Sequence, residues 1–263
     1  MGEALVGGLL RAGWAPAGGV VVVETDAARR GELASAHPGW RVVDGAAAAP
    51  GAEGAVIAVK PADVEAVCTA LTGTGVRRVL SLAAGVTLGS LEAWLAGGGG
   101  AGGGPVAVVR AMPNTAALVG SGAAAIAPGS AAGEEDLAWA EGILEAVGTV
   151  VRVTERVLDA VTGLSGSGPA YVFLVAEALI DAGVLVGLTR PVARQLALQT
   201  LLGSARMLVE TGDEPATLRA MVTSPGGTTA AGLRALEAAG VRAAVLEAVV
   251  AATERSRQLG GAG

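Results

Sequence analysis

A short stretch near the C-terminal end of the chain combines residue types that can bind a small anion: Ser224-Pro225-Gly226-Gly227-Thr228-Thr229. The proline and the two glycines predict a tight turn, and the alanine-rich run that follows predicts a helix. The N-terminus of a helix presents unpaired N–H groups and the positive end of the dipole, so it binds groups such as carboxylates. Glycines let a ligand approach the backbone closely, and the hydroxyls add hydrogen bonds. An ordinary connection between two helices explains the same six residues equally well.

The composition argues against several kinds of chemistry and partner. His37 is the single histidine and Cys68 the single cysteine, so we expect no metal site, no Ser–His pair and no internal disulfide. The formal net charge of -6 argues against nucleic acid as a partner, because phosphate binding needs a basic face. No signal-peptide pattern follows Met1, and Gly, Pro or charge interrupts every long apolar run. We therefore expect a cytoplasmic protein with no membrane partner.

The first 153 residues predict an α/β domain with a doubly wound parallel sheet. Short β-branched runs alternate with helical patterns, as expected for strands joined by crossover helices. The predicted strands are 20–23, 41–43, 55–59, 79–82, 106–110, 123–127 and 150–153, and a low-complexity loop is expected at 97–104. Ligands of such sheets bind beyond the carboxyl ends of the strands. These ends carry Glu24, Lys60-Pro61, Ala83-Ala84-Gly85 and Pro113-Asn114.

From residue 154 onward the sequence predicts helices only. The predicted helices are about 158–162, 169–182, 191–211, 215–223, 228–239 and 241–259. Apolar helices of this total length bury too little surface alone, so we expect a homodimer or a higher homo-oligomer formed through this half. The predicted domains are 1–153, a dinucleotide-binding domain, and 154–263, a helical domain for substrate binding and dimerisation.

Five motifs occur in a fixed order along the whole chain. They are Ala58-Val59-Lys60-Pro61, Ala83-Ala84-Gly85-Val86, Arg110-Ala111-Met112-Pro113-Asn114-Thr115, the segment 159–171 and the turn 224–229. Together they closely resemble the pyrroline-5-carboxylate reductase family. The resemblance implies a Rossmann-like domain followed by an all-helical dimerisation domain. It also implies hydride transfer from NAD(P)H to the cyclic imine 1-pyrroline-5-carboxylate, which forms L-proline in the last step of proline biosynthesis.

The resemblance departs from the family at the N-terminus. A dinucleotide fold begins with a strand, a Gly-rich turn and a helix, and here the strand and the Gly-x-Gly turn are missing before Met1. Gly2 can serve as the third glycine, since Glu24 lies 22 positions later (24 minus 2), near the spacing of the ribose-binding acid. We expect either a start codon assigned too late or a truncated chain, and weak dinucleotide binding by residues 1–263 as they stand.

The resemblance implies that Thr229 is catalytic, because it matches the family's hydroxyl that hydrogen-bonds the ring nitrogen. The same turn supplies the carboxylate anchor through Ser224, Gly226, Gly227 and Thr228, and Glu155 resembles an acid near the substrate amine. No strong acid is required, because a protonated imine is already electrophilic. Catalysis then depends on orientation and electrostatics.

The implied cofactor is NADP, with NAD as the alternative. Glu24 favours the free ribose hydroxyls of NAD, whereas Arg29 and Arg30 can hold a 2′-phosphate. Lys60 is the single lysine of the chain, at a predicted strand end. The predicted cofactor-binding residues are Met1, Gly2, Glu24, Ala58, Val59, Lys60, Pro61, Ala83, Ala84, Gly85 and Asn114.

Alternatives remain at each level. Thr229 can be a helix-capping residue, Glu155 an acid at a helix N-terminus and Lys60 a solvated strand-end lysine. The segment 159–171 can serve packing rather than substrate contact. The function can instead be that of a related imine or hydroxy-acid dehydrogenase, although such enzymes usually use a lysine in the helical domain, where this chain has none. A non-catalytic dimeric remnant without a nucleotide site is the third hypothesis.

Overall fold

The computed structural model describes residues 1–97 and 104–260, so most of the predicted low-complexity loop at 97–104 lies outside the described residues. The chain divides into two compact units. The first contains Met1–Ser167 together with Ala252–Gly263, and the second contains Gly168–Ala251. The chain passes between the units at 167/168 and 251/252, and neither place coincides with the predicted domain boundary at 153/154. The domain boundary stays a prediction.

Strands and connecting helices alternate in the first unit, as predicted. In chain order its elements are α1 (Gly2–Arg11), β1 (Val21–Val23), α2 (Ala27–Ala36), β2 (Arg41–Val43), β3 (Gly54–Ile57), α3 (Val64–Leu71), β4 (Arg78–Ser81), α4 (Leu88–Leu95), β5 (Ala107–Met112), β6 (Gly122–Pro128), α5 (Glu134–Glu145), β7 (Gly148–Arg152) and α6 (Leu158–Val161). Every predicted strand is confirmed, with its ends shifted by at most two residues.

The strands form two sheets that share no hydrogen-bonded strand pair. β1 pairs in parallel with β2, and a second sheet has the order β3-β4-β5-β6-β7. Within the described residues no strand lies between β1 and β3, so each has one edge without a strand partner. The α/β, doubly wound fold class is confirmed.

One strand direction differs from the prediction. β6 runs antiparallel to β5, with Val109 opposite Pro128 and Met112 opposite Ala125. The physical reason is the connection, since only residues 113–121 separate the two strands, whereas a parallel crossover needs a dozen or more residues. β3, β4 and β5 are parallel to one another, and β7 is parallel to β6. The expectation of a wholly parallel sheet is therefore wrong at β6.

The five-stranded sheet is covered on both faces. Neighbouring residues of one strand, such as Val79 and Leu80 in β4 or Val108 and Val109 in β5, belong to two different core clusters. This follows from the alternation of side chains along a strand. One cluster takes Val64 from α3 and Leu91 from α4, and the other takes Leu5 and Leu9 from α1 and Ile143 and Leu144 from α5. This core holds the loops at the carboxyl ends of β3, β4 and β5.

The second unit is helical throughout, as predicted. It contains α7 (Gly168–Leu185), α8 (Arg190–Thr211), α9 (Pro215–Met221), α10 (Thr228–Ala238) and the first part of α11 (Val241–Gly260), whose last residues belong to the first unit. Large apolar side chains are exposed on these helices, among them Phe173, Leu174 and Leu185. In the described part of the chain, the helical run Glu155–Leu185 alone is long and apolar enough, by length and composition, to cross a membrane. Exposed apolar surface of this extent marks an interaction site.

Candidate active site

The carboxyl ends of β3, β4 and β5 lie side by side because these strands are parallel neighbours. The predicted cofactor-binding residues found there are Ala58, Val59, Lys60 and Pro61 after β3, Ala83, Ala84 and Gly85 after β4, and Asn114 after β5. The residues after β3 are exposed, and so is Ala84, whereas Ala83 is buried. The structure therefore brings these residues to one edge of the sheet, which is where ligands of such folds bind.

The N-terminus of α1 reaches the same edge. A Cβ placed on Gly2 would lie 3.3 Å from Cβ of Ala58, so the helix start and the end of β3 are in contact. Met1 is the N-cap residue of α1, and its side chain makes no capping hydrogen bond. Unpaired N–H groups and the positive end of the helix dipole therefore remain available here for an anionic group.

Glu24 follows β1 and stays close to the two-stranded sheet. Its N–H donates to the carbonyl of Val43 at 2.9 Å, and its Oε1 accepts from the N–H of Asp26 at 3.0 Å. Arg30 donates through Nη1 to the carbonyls of Glu24 at 2.9 Å and Thr25 at 3.2 Å. Nη1 of Arg30 therefore supports the Glu24 turn.

Arg29 differs from Arg30 because all its partners are surface carboxylates. It pairs with Glu32 at 2.9 Å and with Glu3 on α1. Glu3 also contacts His37 at 2.9 Å, and the hydrogen bond from His37 is the main reason why the pKa of Glu3 is lowered, with Arg29 contributing. Exposed ion pairs contribute little stability, so Arg29 can exchange a carboxylate for a phosphate at small cost.

Asn114 uses its side chain to connect three segments. Its Oδ1 accepts from the N–H groups of Ala116 and Ala123 at 3.2 Å each, and its Nδ2 donates to the carbonyl of Ser165 at 3.1 Å. These bonds join the end of β5 to the start of β6 and to the π-helical turn Thr162–Gly166. A direct contact of Asn114 with a cofactor stays a prediction. Such a contact must use groups of Asn114 that are not already engaged in these three hydrogen bonds.

The segment 159–171 packs closely against the end of β5. A Cβ on Gly166 would come within 2.6 Å of Cε of Met112, so only glycine fits there without movement. Asp159 accepts a hydrogen bond from the hydroxyl of Ser256 on α11 at 2.6 Å. These contacts give the part of the segment that lies in the first unit a packing role at the carboxyl edge of the sheet.

Glu155 lies at this edge as well, with its carboxylate engaged by the protein. Its Oε1 accepts from Nη1 of Arg110 at 2.7 Å and from the N–H of Leu88 at 2.7 Å. Arg110 lies in β5 and is only 9% exposed. Sequence reasoning did not pair Arg110 with Glu155. The available signal was an arginine inside an apolar strand, which needs a carboxylate partner when buried. The predicted contact of Glu155 with substrate stays a prediction.

The turn 224–229 belongs to the second unit and has the geometry of an uncapped helix start. Gly226 has φ of +69°, the left-handed region that favours glycine. Gly227 is the N-cap of α10, and its N–H donates to the carbonyl of Ser224 at 3.1 Å. Thr228 and Thr229 are the first two residues of the helix, so the capping alternative for Thr229 is wrong.

Polar groups at this turn are left available to a ligand. Within the described residues, the hydroxyls of Ser224, Thr228 and Thr229 make no hydrogen bond, and no side chain caps α10. Ser224 and Thr228 are exposed, and Thr229 is half-buried. The first N–H groups of the helix and the hydroxyls of these three residues are therefore donors that a carboxylate can use. In the same described residues no group of three His, Cys, Asp or Glu side chains is placed to hold a metal ion.

The fold and these sites define a class of protein: a dehydrogenase-type chain with a dinucleotide-binding sheet and a helical unit that carries an anion-binding helix start. Two family models match this plan. The model for pyrroline-5-carboxylate reductase dimerisation matches residues 155–259, and the model for NADP oxidoreductase, coenzyme F420-dependent, matches residues 1–85.

Relatives narrow the class to one family. The chain is 46% identical over 242 residues to pyrroline-5-carboxylate reductase of Synechocystis sp.. The matched region covers 92% of this chain and 88% of that protein. A solved pyrroline-5-carboxylate reductase from Coxiella burnetii has a TM-score of 0.87 at 35% identity, covering 98% of this chain and 94% of that one. A pyrroline carboxylate reductase from Plasmodium falciparum, solved with NADP bound, has a TM-score of 0.82 at 30% identity, covering 99% and 94%. The chain belongs to the pyrroline-5-carboxylate reductase family.

Proposed function

We propose that this chain reduces 1-pyrroline-5-carboxylate to L-proline with NADPH as the hydride donor. The observation that carries the proposal is the turn 224–229, where a helix N-terminus without a side-chain cap is accompanied by the hydroxyls of Ser224, Thr228 and Thr229. Family membership supports the same substrate, and the bound NADP of the Plasmodium falciparum relative supports the cofactor.

The substrate carboxylate binds at the start of α10 in this proposal. Backbone N–H groups of Thr228 and Thr229 donate to it, and the helix dipole favours its negative charge. Gly226 and Gly227 carry no side chain to obstruct the approach. The Ser224 hydroxyl adds a donor that can rotate toward the ligand.

The hydroxyl of Thr229 forms a hydrogen bond with the ring nitrogen of the substrate. The protonated imine is electrophilic at the carbon of its C=N bond, and bound NADPH supplies the hydride to that carbon. The nitrogen then becomes an amine that keeps its proton, so no further proton has to be delivered. The hydroxyl orients the ring through a hydrogen bond, and the contribution of the protein is orientation and charge placement.

The residues at the carboxyl edge of the sheet fit a dinucleotide. The uncapped N-terminus of α1 at Met1 and Gly2 suits the pyrophosphate. Ala58, Val59, Lys60 and Pro61, together with Ala83, Ala84 and Gly85, line the edge with small or exposed side chains. Glu24 is proposed to face the adenine ribose and Arg29 the 2′-phosphate, which makes NADP the cofactor and NAD the alternative.

The proposed assembly is a homodimer or a higher homo-oligomer. The exposed apolar residues of α7 need to be buried against a partner subunit. The family model for pyrroline-5-carboxylate reductase dimerisation matches residues 155–259, which include this helix. Burial against a partner subunit also explains why the helical run Glu155–Leu185 is as apolar as a membrane-spanning helix. We place the protein in the cytoplasm, with neither nucleic acid nor membrane as a partner.

Adding the cyclic imine to the purified chain with NADPH tests the proposal. We expect NADPH oxidation that depends on the imine, with L-proline appearing in equal amount by chromatography. A 2-oxo acid in place of the imine tests the related hydroxy-acid dehydrogenases. Oxidation with the oxo acid but not with the imine would assign the chain to that other reaction, and NADPH binding without turnover of either would contradict the proposal.

A further inference from the structure

The loop that joins β4 to α4 is fixed at its helix end by a residue distant in sequence. This loop, residues 82–87, contains Ala83, Ala84 and Gly85. The N–H of Leu88, the first residue of α4, donates to Oε1 of Glu155 at 2.7 Å. The hydroxyl of Thr87 accepts from the N–H of Ser90 at 3.2 Å. A carboxylate at this position also meets the positive end of the α4 dipole.

The same carboxylate oxygen is bound to the neighbouring strand. Arg110 of β5 donates to it from Nη1 at 2.7 Å, and the Arg110 side chain is only 11% exposed. A buried guanidinium needs a paired carboxylate, since an unpaired buried charge is strongly destabilising. Glu155 thus fixes the start of α4 to β5, and the position of the 82–87 loop follows from that connection.

A second contact limits movement of the loop near Gly85. Gly85 has φ of +77°, and a Cβ placed on it would lie 3.9 Å from the carbonyl of Leu259 at the end of α11. Ser256, one turn earlier on α11, is bonded to Asp159 of α6 at 2.6 Å. The loop therefore lies between the end of α11 and the contact with Glu155, which leaves it little room to move.

We infer that Glu155 is a positioning residue for the cofactor, acting through Arg110 and the N–H of Leu88, and is not a ligand of the substrate. The inference rests on the proposed function in one respect, namely that the 82–87 loop contacts the dinucleotide. One oxygen of the carboxylate already accepts two hydrogen bonds from the protein. Losing those bonds releases the loop, so the cost falls on binding of NADPH rather than on binding of the imine.

Three variants separate these roles. Glu155→Gln keeps an oxygen for the Leu88 N–H but loses the charge that pairs with Arg110, and Glu155→Ala loses both. Arg110→Met removes the other partner and keeps the apolar stem. Glu141→Gln is the control, because Glu141 on α5 forms an ion pair with Arg152 of β7 that lies outside the 82–87 loop.

NADPH affinity, KM for the imine at saturating NADPH, and hydrogen exchange of the Leu88 amide are measured on all four proteins. For Glu155→Ala we expect an NADPH Kd raised about tenfold, because NADPH must then order a loop that the lost hydrogen bonds had held in place. Leu88 should exchange faster and KM for the imine should change less than twofold. Glu155→Gln should show a smaller effect, Arg110→Met a similar one, and the control none.

The two ligand affinities decide between the roles. A raised KM for the imine with unchanged NADPH affinity would overturn the inference and make Glu155 a substrate ligand. Lower thermal stability with both affinities unchanged would overturn it as well, leaving a purely structural ion pair. NADPH binding and Leu88 exchange need no turnover, so the inference can be judged even if the wild-type chain fails to reduce the imine.

Discussion

Gly227 and Ser224 are packed so closely that a Cβ on Gly227 would overlap the Ser224 Oγ. The backbone of the turn brings them together, because the Gly227 N–H donates to the Ser224 carbonyl at 3.1 Å. Any side chain at position 227 must displace the Ser224 hydroxyl. Since that hydroxyl ends a rotatable side chain, displacing it changes the anchor more than it changes the fold.

Gly227→Ala is therefore predicted to weaken binding of the imine. Displacing one hydroxyl donor from a carboxylate should raise KM by about tenfold, while kcat changes little. Gly232→Ala is the control, since Gly232 lies on the same helix and a Cβ there meets nothing within 4 Å. The control should keep its KM and gain up to about 1 kcal/mol in stability. An unchanged KM for Gly227→Ala would place the anchor elsewhere.

Self-association is predicted to be required for folding. The helices of the second unit expose side chains such as Phe173, Leu174 and Leu185, which need a partner surface. Diluting the protein should lower its thermal stability and should not produce a folded monomer. Sedimentation with circular dichroism across a wide concentration range checks this. A monomer that keeps its helical signal would contradict the account.

Cys68 is predicted to be unreactive while the protein is folded. It is fully buried in α3, and burial, with a smaller effect of Glu65, raises the pKa of its thiol to about 11. A thiol reagent should therefore label it slowly near neutral pH and quickly in denaturant. Rapid labelling of the native protein would show that α3 opens readily.

The same shift makes stability depend on pH in the alkaline range. The unfolded thiol loses its proton near its ordinary pKa of 9.0, below the folded value of about 11. The contribution of Cys68 is thus fully present below about pH 9 and is lost as the pH rises toward 11. Cys68→Ala should flatten this part of the profile in denaturant titrations. An identical slope in both proteins would contradict the assignment.

Local patterns predicted the elements better than the contacts between them. Strands such as β1 were recognised because β-branched runs are local signals, and the turn 224–229 because its glycines and proline are adjacent. The direction of β6 was missed although the short connection 113–121 carried the information. Pairing of Arg110 with Glu155 joins residues 45 positions apart, and only the packing of the sheet brings them together.

Asn114 shows a second limit of sequence reasoning. Its place after β5 predicted a cofactor contact, and the structure does place it at the expected edge. Its amide, however, is used to join β5, β6 and the turn Thr162–Gly166. A polar residue at a strand end can bind a ligand or shape the site, and its spacing in the sequence is the same in both cases.

The divided sheet predicts how the cofactor affinity will respond to an added segment. β1 and β3 lack a common neighbour in the described residues, and α1 starts without a side-chain cap. Placing a strand and a Gly-x-Gly turn before Met1 should supply backbone donors to the pyrophosphate and strengthen NADPH binding at least about tenfold. Calorimetry on both proteins measures this. Equally tight NADPH binding by residues 1–263 alone would show that this turn is dispensable.

In the proposed reaction the imine is reduced beside the turn 224–229, with the Thr229 hydroxyl at its ring nitrogen. Thr229→Ala loses the hydroxyl and Thr229→Ser keeps it. Since Gly227 is the N-cap of α10, neither substitution removes a cap, and stability should change little in both.

The most direct test is kcat/KM for the imine in these two variants, measured per folded enzyme. Losing a hydrogen bond to a centre that changes charge should cost about 1.5–3 kcal/mol, so Thr229→Ala should fall roughly ten- to a hundredfold. Thr229→Ser should stay within several-fold of wild type, reduced only by the freer rotamer of serine. Full activity of Thr229→Ala would contradict the claim that this hydroxyl takes part in the reaction.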